Sequence, residues 1–323
     1  MSLKIKVAAI ASIAALALAG CAQTATPTAT AAANSNIKIC VYTHSDHGSF
    51  WSVFEKGAKD AAQSLGVTLD LQGSNNDAQK QAQTITAGVA AGCNGLATSV
   101  PDAGAIKTAV AGYVAKNIPF LTVNSGSDVS QSLGAFTHVG QDEMIAGEQA
   151  GLKFNALGVK HVLCPIQEAA NSGLQLRCDG LKKTFKGTTT DFNLDGALSD
   201  LTKATQTLTA EFQSDSSIDA VFALNADVAA KAVLPAEAAA GVTLKVGTVD
   251  MSPEALQAIK DGKIEWAIDQ QQYAQGYMSV VLLYLAIVNK NELGGGQPIY
   301  TGPGFVTADN VDAVMGLVKA GTR

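Results

Sequence analysis

Hydrophobic and polar positions follow two alternating periods through the first half of the chain. Short runs rich in aliphatic and β-branched residues predict strands at 37–42, 67–71, 95–100 and 119–123. Between them, apolar residues recur at helical spacing at 50–65, 77–91 and 103–116. Gly66 and Gly92 follow the first two helical stretches, as is typical of helix ends. The alternation predicts an α/β fold in which helices cover both faces of a parallel sheet.

The same alternation continues through the second half. Predicted strands lie at 160–164, 220–224, 244–249 and 263–268. Predicted helices lie at 141–157, 172–185, 201–212, 227–240, 253–260 and 271–290. A glycine triplet at 294–296 interrupts the chain soon after the last helix. Two successive sets of units of similar size predict two similar Rossmann-like lobes with parallel sheets.

The N-terminal part of the chain has a different pattern. Lys4 and Lys6 precede an apolar run over residues 7–20, which is shorter than the roughly 20 residues that a membrane-spanning helix needs. Small residues close this run, so we interpret residues 1–20 as a cleavable signal peptide. Residues 21–36 are mostly Ala, Thr, Pro and Asn without an apolar period, which predicts a flexible tether.

The signal peptide ends in the order Leu-Ala-Gly-Cys at residues 18–21, which resembles a bacterial lipobox. The resemblance implies that Cys21 becomes the lipidated first residue of a membrane-anchored lipoprotein. The alternative is a plain secretory signal with a chance cysteine. We therefore expect the folded part to be exported, to a periplasm or to the outer face of the cytoplasmic membrane.

Composition narrows the classes of function. The 323-residue chain is 47% hydrophobic and 15% charged, which suits a folded protein rather than a disordered one. Its net charge of −6 argues against a nucleic-acid-binding surface, which needs clustered Lys and Arg.

Four cysteines follow the tether, and export would place them in an oxidising compartment, where disulfides form. Cys164 ends a predicted strand and Cys178 lies on the next helix, while Cys40 and Cys93 flank strands that would be neighbours in the sheet. Each pair is a candidate disulfide, and four buried free thiols are the alternative. The absence of a short Cys-x-x-Cys spacing argues against zinc.

Polar residues gather where the predicted strands end. These positions are 43–47, Ser99, 124–126, Asn225, Asp250 and Gln270. Ligands of open parallel sheets bind beyond the carboxyl ends of the strands, so two facing lobes would form a cleft lined by these residues. Amide, carboxylate and guanidinium groups together satisfy both the donor and the acceptor side of hydroxyl groups. The sequence therefore predicts a cleft for a polar, neutral molecule.

The order and spacing of several short motifs resemble the type I periplasmic sugar-binding proteins of ABC transporters, in the ribose-binding-like group. The motifs are 49–58, 118–124, 171–180, 221–225, 246–250 and 266–270. The resemblance covers about the whole chain from residue 37 onward. It implies two lobes joined by a three-segment hinge, with crossings near 138–142, 269–271 and 294–303.

The resemblance also implies a division of the chain between the lobes. The N-terminal lobe would comprise residues 37–139 plus 270–296, and the C-terminal lobe residues 140–269 plus 297–323.

In the first lobe, the resemblance implies an aromatic pair, Phe50 and Trp51, that stacks on a sugar ring. The alternative is ordinary helix packing, and we expect one ring in the cleft and the other partly in the core. His44 lies where the family has a polar residue, and Ser99 matches a contact position more weakly. The family often has Asp and Arg after the fourth strand. Asn124 and a serine stand there instead, so the charged clamp typical of a ribose binder is missing.

In the second lobe, the resemblance implies ligand contacts from Arg177, Asn225, Asp250 and Gln270. Arg177 offers a rigid fork of donors; the alternative is a surface salt bridge. Asp250 would accept two adjacent hydroxyl hydrogens; the alternative is an N-cap on the helix that opens at Pro253.

The function implied is capture of a sugar or polyol by lobe closure, followed by delivery to an ABC permease with its ATPase. No cofactor and no nucleic-acid partner are expected. Two alternatives of the same fold stay open: a sensor of a sugar-like signal, and a nucleoside- or amino-acid-binding lipoprotein.

An enzyme is disfavoured by the motifs. The pair His44 and His47 lacks a third metal ligand at useful spacing, so no metal site is expected. The chain has no Gly-x-Ser-x-Gly elbow, no Walker loop and no dinucleotide-binding fingerprint.

Overall fold

The computed structural model describes residues 34–323. The predicted signal peptide, the predicted lipidation site Cys21 and the tether up to residue 33 therefore lie outside the described residues. Within 34–323, no helix combines the length and the apolar character that crossing a membrane requires.

The first sheet has six strands that pair in parallel. They are β1 (Lys38–Thr43), β2 (Thr68–Gly73), β3 (Gly95–Thr98), β4 (Phe120–Val123), β5 (His138–Gln141) and β11 (Ile299–Gly302). Their order across the sheet is β11-β5-β4-β3-β1-β2. The central strands β3 and β4 are buried along their whole length, which explains their continuous apolar sequence.

The second sheet also has six strands, and all its pairings but one are parallel. They are β6 (His161–Ile166), β7 (Thr188–Asn193), β8 (Ala220–Ala223), β9 (Lys245–Val249), β10 (Trp266–Asp269) and β12 (Gly304–Val306). Their order is β12-β10-β9-β8-β6-β7, and the edge strand β12 runs antiparallel to β10.

Helices cover both faces of each sheet. They are α1 (Gly48–Leu65), α2 (Ala78–Ala90), α3 (Ala103–Ala115), α4 (Glu143–Leu157), α5 (Ser172–Thr184), α6 (Leu201–Ser214), α7 (Ala226–Val228), α8 (Leu234–Ala240), α9 (Pro253–Lys260), α10 (Gln272–Asn289) and α11 (Val311–Lys319). A π-helical segment joins α7 to α8. Each sheet separates two clusters of buried hydrophobic side chains, one on each face.

The predicted fold class, two parallel-dominated α/β lobes, is confirmed. The sequence prediction missed the interior strand β5, the edge strands β7, β11 and β12, and the helix α11. Strand β7 reads Thr-Thr-Thr-Asp-Phe-Asn and none of its residues is fully buried, so it lacks the apolar run of a central strand. The pairing of β12 is antiparallel and only three residues long, which leaves little pattern to recognise.

The chain passes between the sheets at three places: between β5 and α4, between β10 and α10, and between β11 and β12. The last crossing differs from the predicted lobe boundary at residue 296. Strand β11 still belongs to the first sheet because it extends that sheet in parallel beside β5. The first sheet also keeps Gly140 and Gln141, which were assigned to the second lobe. The rest of the lobe division stays a prediction.

Both candidate cysteine pairs are joined in the structure. Cys40 in β1 is bonded to Cys93, and Cys164 in β6 is bonded to Cys178 in α5. All four residues are buried. The second bridge ties α5 to the sheet beneath it, and α5 carries Arg177.

Candidate functional site

The carboxyl ends of the two sheets face each other across one cavity. It is lined by His44, His47, Phe50, Trp51, Asn124, Gln167, Glu168, Asn171, Leu174, Arg177, Leu198, Leu224, Asn225, Asp250 and Gln270. Every residue predicted to contact the ligand, with the exception of Ser99, therefore lies on this wall. The convergence follows from the topology, because parallel strands of one sheet end at the same edge.

Ser99 lies behind the wall rather than on it. Its Oγ accepts a hydrogen bond from the backbone N–H of His44 at 2.8 Å and lies 2.7 Å from His44 Nδ1. The side chain of Ser99 is fully buried. Ser99 thus fixes the orientation of the His44 ring. The geometry does not support the predicted contact between Ser99 and the ligand.

Arg177 is held in the wall by a buried ion pair. Its Nε donates to Glu143 Oε2 at 2.5 Å, and its Nη2 donates to Glu143 Oε1 at 3.0 Å. Its Nη1 donates to the carbonyl oxygen of Leu224 at 2.9 Å. Burial lowers the pKa of Arg177, but the charge and hydrogen bonds of Glu143 outweigh burial and raise it above its ordinary value. The ion pair considered as the alternative does exist, but it is buried at the cavity and not on the surface.

Two glycines bring the partners of this ion pair together. A Cβ on Gly147 would lie 2.1 Å from the carbonyl oxygen of Arg177, and a Cβ on Gly180 would lie 2.2 Å from that of Met144. The backbones of α4 and α5 are therefore in direct contact where they cross. Glu143 lies about one turn before Gly147 on α4, so the close crossing places its carboxylate beside the guanidinium.

Asp250 is the centre of a second buried cluster. Its Oδ2 accepts from Asn225 Nδ2 at 3.1 Å, and its Oδ1 accepts from Gln270 Nε2 at 2.5 Å. Burial raises the pKa of Asp250 to about 6, although Arg177 and Gln270 act in the opposite direction. The N-cap of α9 is Ser252, whose side chain accepts from the backbone of Ala255. The capping alternative for Asp250 is therefore wrong, and its carboxylate remains available to the cavity.

The two aromatic residues at the start of α1 serve both the cavity and the core. Phe50 and Trp51 both line the cavity, and both belong to a buried cluster of the first lobe. Their rings contact each other edge to face with centroids 4.9 Å apart, and Trp51 meets the His44 ring in the same way at 5.0 Å. The expectation that only one ring would face the cleft is wrong, because both belong to the first turn of α1, which borders the cavity.

Glu168 connects the two lobes at the cavity rim. It follows β6 in the second lobe, and its Oε2 lies 3.5 Å from Nε2 of His44 in the first lobe. Its Oε1 accepts from Asn76 Nδ2 at 3.2 Å, and its Oε2 accepts from Asn171 Nδ2 at 2.8 Å. Burial alone would raise the pKa of Glu168, but the hydrogen bonds and the charge of His44 hold it at about 2. These contacts describe a closed arrangement of the lobes.

The wall keeps hydrogen-bonding capacity for a polar ligand. Among the described residues, the contacts of Arg177 use three of the five N–H groups of a guanidinium. Asp250 accepts two bonds where a carboxylate has about four acceptor positions. Donors and acceptors therefore remain next to each other, and the aromatic rings add an apolar surface. This combination suits the hydroxyl groups and ring faces of a carbohydrate.

Several wall residues were not predicted. Gln167 and Glu168 directly follow β6, but the predicted strand stopped at residue 164, so the strand-end rule was applied two residues too early. Leu174 and Leu198 carry no chemical signal that would reveal them. Within 34–323, no group of three or more His, Cys, Asp or Glu side chains is arranged to hold a metal ion.

Two facing α/β lobes with a polar cavity between their strand ends are typical of a solute-binding protein. The chain matches the periplasmic binding protein domain over residues 37–291. The protein belongs to this family of periplasmic binding proteins, and the resemblance seen in its sequence is confirmed.

Named relatives and solved structures agree with this placement. The chain is 25% identical over 299 residues to the xylose/arabinose-binding protein XylF of Sulfolobus acidocaldarius, covering 86% of this chain and 73% of the relative. It is 27% identical over 237 residues to the ribose import binding protein RbsB of Haemophilus influenzae, covering 72% of this chain and 79% of the relative.

Among solved structures, a carbohydrate transporter from Acidothermus cellulolyticus in complex with myo-inositol superposes with a TM-score of 0.85 at 38% identity. The match covers 89% of this chain and 99% of that chain. A solute-binding protein from Burkholderia graminis in complex with D-arabinose shares the fold, with a TM-score of 0.76 at 23% identity, over 85% of this chain and 96% of that chain.

Proposed function

We propose that the protein is an exported solute-binding lipoprotein that captures a neutral cyclic polyol or monosaccharide and delivers it to an ABC permease. One observation carries the proposal: Arg177, Asp250 and amides from the strand ends of both lobes converge on one cavity beside two aromatic rings. Such a cavity satisfies hydroxyl groups on several sides at once.

The proposed ligand contacts are those on the cavity wall. Asp250 would accept hydrogens from two adjacent hydroxyl groups, and Arg177 would donate with its remaining N–H groups. Phe50 and Trp51 would cover a ring face. The relatives support this class of ligand, because the Acidothermus relative holds myo-inositol and the curated relatives are named for ribose, xylose and arabinose.

The membrane anchor is proposed from the sequence. Leu-Ala-Gly-Cys at 18–21 would direct cleavage before Cys21 and lipidation of that residue. Wild-type protein expressed in bacteria should fractionate with membranes. Mass spectrometry should show the added mass of a lipid on its N-terminal residue. Cys21→Ser should abolish both, and a wild-type protein without lipid would remove the anchor from the proposal.

The ligand class is tested with the purified mature chain. We expect myo-inositol or a neutral monosaccharide to raise the melting temperature in a panel that also contains sugar acids, amino acids and nucleosides, because a ligand of the native state stabilises it. Arg177→Met should abolish the shift, whereas Lys182→Met, on the exposed side of the same helix, should keep it. Stabilisation by charged solutes alone would contradict the proposal.

A further inference from the structure

A carboxylate of the second lobe binds the start of a helix in the first lobe. The backbone N–H of Ser49 donates to Asp227 Oδ2 at 2.9 Å, and the Ser49 hydroxyl donates to the same oxygen at 2.5 Å. Ser49 is the second residue of α1, and Asp227 lies in α7, after β8 of the second sheet. The contact therefore spans the two lobes and joins residues that are 178 positions apart.

Helix α1 has no cap from its own neighbourhood. Its N-cap residue, His47, makes no capping hydrogen bond with its side chain, and the first turn contains no acidic residue. By contrast, α2 to α6 each begin with a capping Asp or Asn: Asp77, Asp102, Asp142, Asn171 and Asp200. A helix start without a cap leaves N–H donors unpaired at the positive end of the helix dipole. The carboxylate of Asp227, in the opposite lobe, supplies the hydrogen-bond acceptor and the negative charge that the start of α1 lacks.

The surroundings of Asp227 suit this role. Gly48 has a φ of +84°, and a Cβ there would lie 3.3 Å from Asp227 Oδ2, so the missing side chain leaves room for the carboxylate. Lys231 Nζ lies 2.9 Å from Asp227 Oδ1 and holds the group on its own lobe. Burial would raise the pKa of Asp227, but the hydrogen bonds from Ser49 and the contact with Lys231 lower it. Asp227 is therefore ionised at neutral pH.

We infer that Asp227 and Ser49 form a latch between the lobes that sets the affinity for the solute without contacting it. Neither residue lines the ligand cavity. The latch bonds exist only when the lobes are together, so they favour the closed state, and the apparent Kd falls as the population of the binding-competent state rises. The inference rests on the proposed function in one respect: the solute must bind to the closed lobes.

A double-mutant cycle tests the latch, with binding of myo-inositol measured by calorimetry. Asp227→Ala should raise Kd about tenfold, which is about 1.4 kcal/mol. Ser49→Ala keeps the backbone N–H and should raise Kd about threefold. The double variant should bind no worse than Asp227→Ala, because the hydroxyl bond requires the carboxylate. The affinity of myo-inositol relative to a weaker polyol should stay constant in all variants.

The matched control is Asp200→Ala, which removes the cap of α6 within the second lobe. It should lower stability but leave Kd unchanged, so a general loss of helix capping is separated from the latch. Unchanged affinity in Asp227→Ala, or additive effects in the cycle, would overturn the inference.

A second readout needs no ligand. If the wild type binds no neutral polyol, the proposed function fails, and the latch is tested by amide hydrogen exchange of residues 49–52 in the ligand-free protein. Exchange should be faster in Asp227→Ala than in wild type and unchanged in Asp200→Ala. Equal exchange in Asp227→Ala and wild type would overturn the latch.

Discussion

The ionisation of Asp250 should make the affinity for the solute depend on pH. Its carboxyl group is buried, and burial raises its pKa from 3.8 to about 6. A solute whose hydroxyl hydrogens are accepted by this group binds the ionised form and disfavours the protonated one. Binding should therefore weaken as the pH falls below about 6.

The expected magnitude follows from the ionised fraction. With a pKa of about 6, roughly half of the ligand-free molecules carry the carboxylate at pH 6 and about a tenth at pH 5. Relative to pH 8, Kd should roughly double at pH 6 and rise about tenfold at pH 5. The effect on stability has the opposite sign, because the folded state holds this proton more tightly than the unfolded chain. Asp250 thus contributes stability that is full below pH 3.8 and lost as the pH rises through about 6.

The assay is calorimetry with myo-inositol at pH 5, 6, 7 and 8, with Asp250→Asn as the comparison. The variant has the same size but cannot ionise, so it should bind weakly at pH 8 and change little with pH. His44, His47 and Glu168 also line the cavity, and parallel series with His44→Gln, His47→Gln and Glu168→Gln separate their contributions from that of Asp250. A flat profile for the wild type, or an undiminished slope in Asp250→Asn, would refute the reasoning.

Three further predictions concern the frame around the cavity. Burial lowers the pKa of His138 from 6.5 to about 3. The neutral side chain therefore contributes stability that is full above pH 6.5 and is lost as the pH falls towards 3. His138→Gln should flatten the pH dependence of the unfolding free energy measured in urea. Gly180→Ala should push α5 away from α4 and weaken myo-inositol binding about tenfold in calorimetry, whereas Gly316→Ala, which meets no neighbour, should not. Loss of the Cys40–Cys93 bridge, which spans 53 positions, should lower the unfolding free energy by about 4 kcal/mol when denaturant titrations compare the wild type with Cys40→Ala/Cys93→Ala, which keeps the Cys164–Cys178 bridge.

Most of the fold could be predicted because its central strands are buried on both faces. Such strands give continuous apolar runs, and the helices between them show a helical period. The edge strands were missed because one side of each lies open, as the polar sequence of β7 shows. The interior strand β5 was missed for another reason: only one of its four residues, Val139, is hydrophobic, so it gives no apolar run although it is buried. The lobe boundary drawn at residue 296 came too early because β11 is a short strand at the edge of the first sheet, although the third crossing itself falls within the predicted hinge segment 294–303.

The site residues that lie at the ends of strands could be predicted from the sequence. Asn124, Asn225, Asp250 and Gln270 each follow a predicted strand, and topology alone brings them to one edge. The partner of Arg177 could not be found in this way, because Glu143 lies 34 positions away and meets it only through the crossing of two helices. Which carboxylate reaches which cation depends on the distance between helices, and the sequence pattern does not contain that distance.

We expect the carboxylate of Glu143, which the sequence prediction missed, to influence which solutes the cavity accepts. An unpaired guanidinium on the wall would attract sugar acids or phosphates, but Glu143 neutralises Arg177 with two hydrogen bonds. Two further carboxylates at the cavity, Asp250 and Glu168, would repel an anionic solute, and the His44 ring already faces Glu168 rather than the solute. Hydroxyl groups avoid this penalty because they donate to the carboxylates and accept from the amides and from the guanidinium. We therefore expect a preference for neutral solutes, caused by a buried ion pair whose partners the helix crossing brings together.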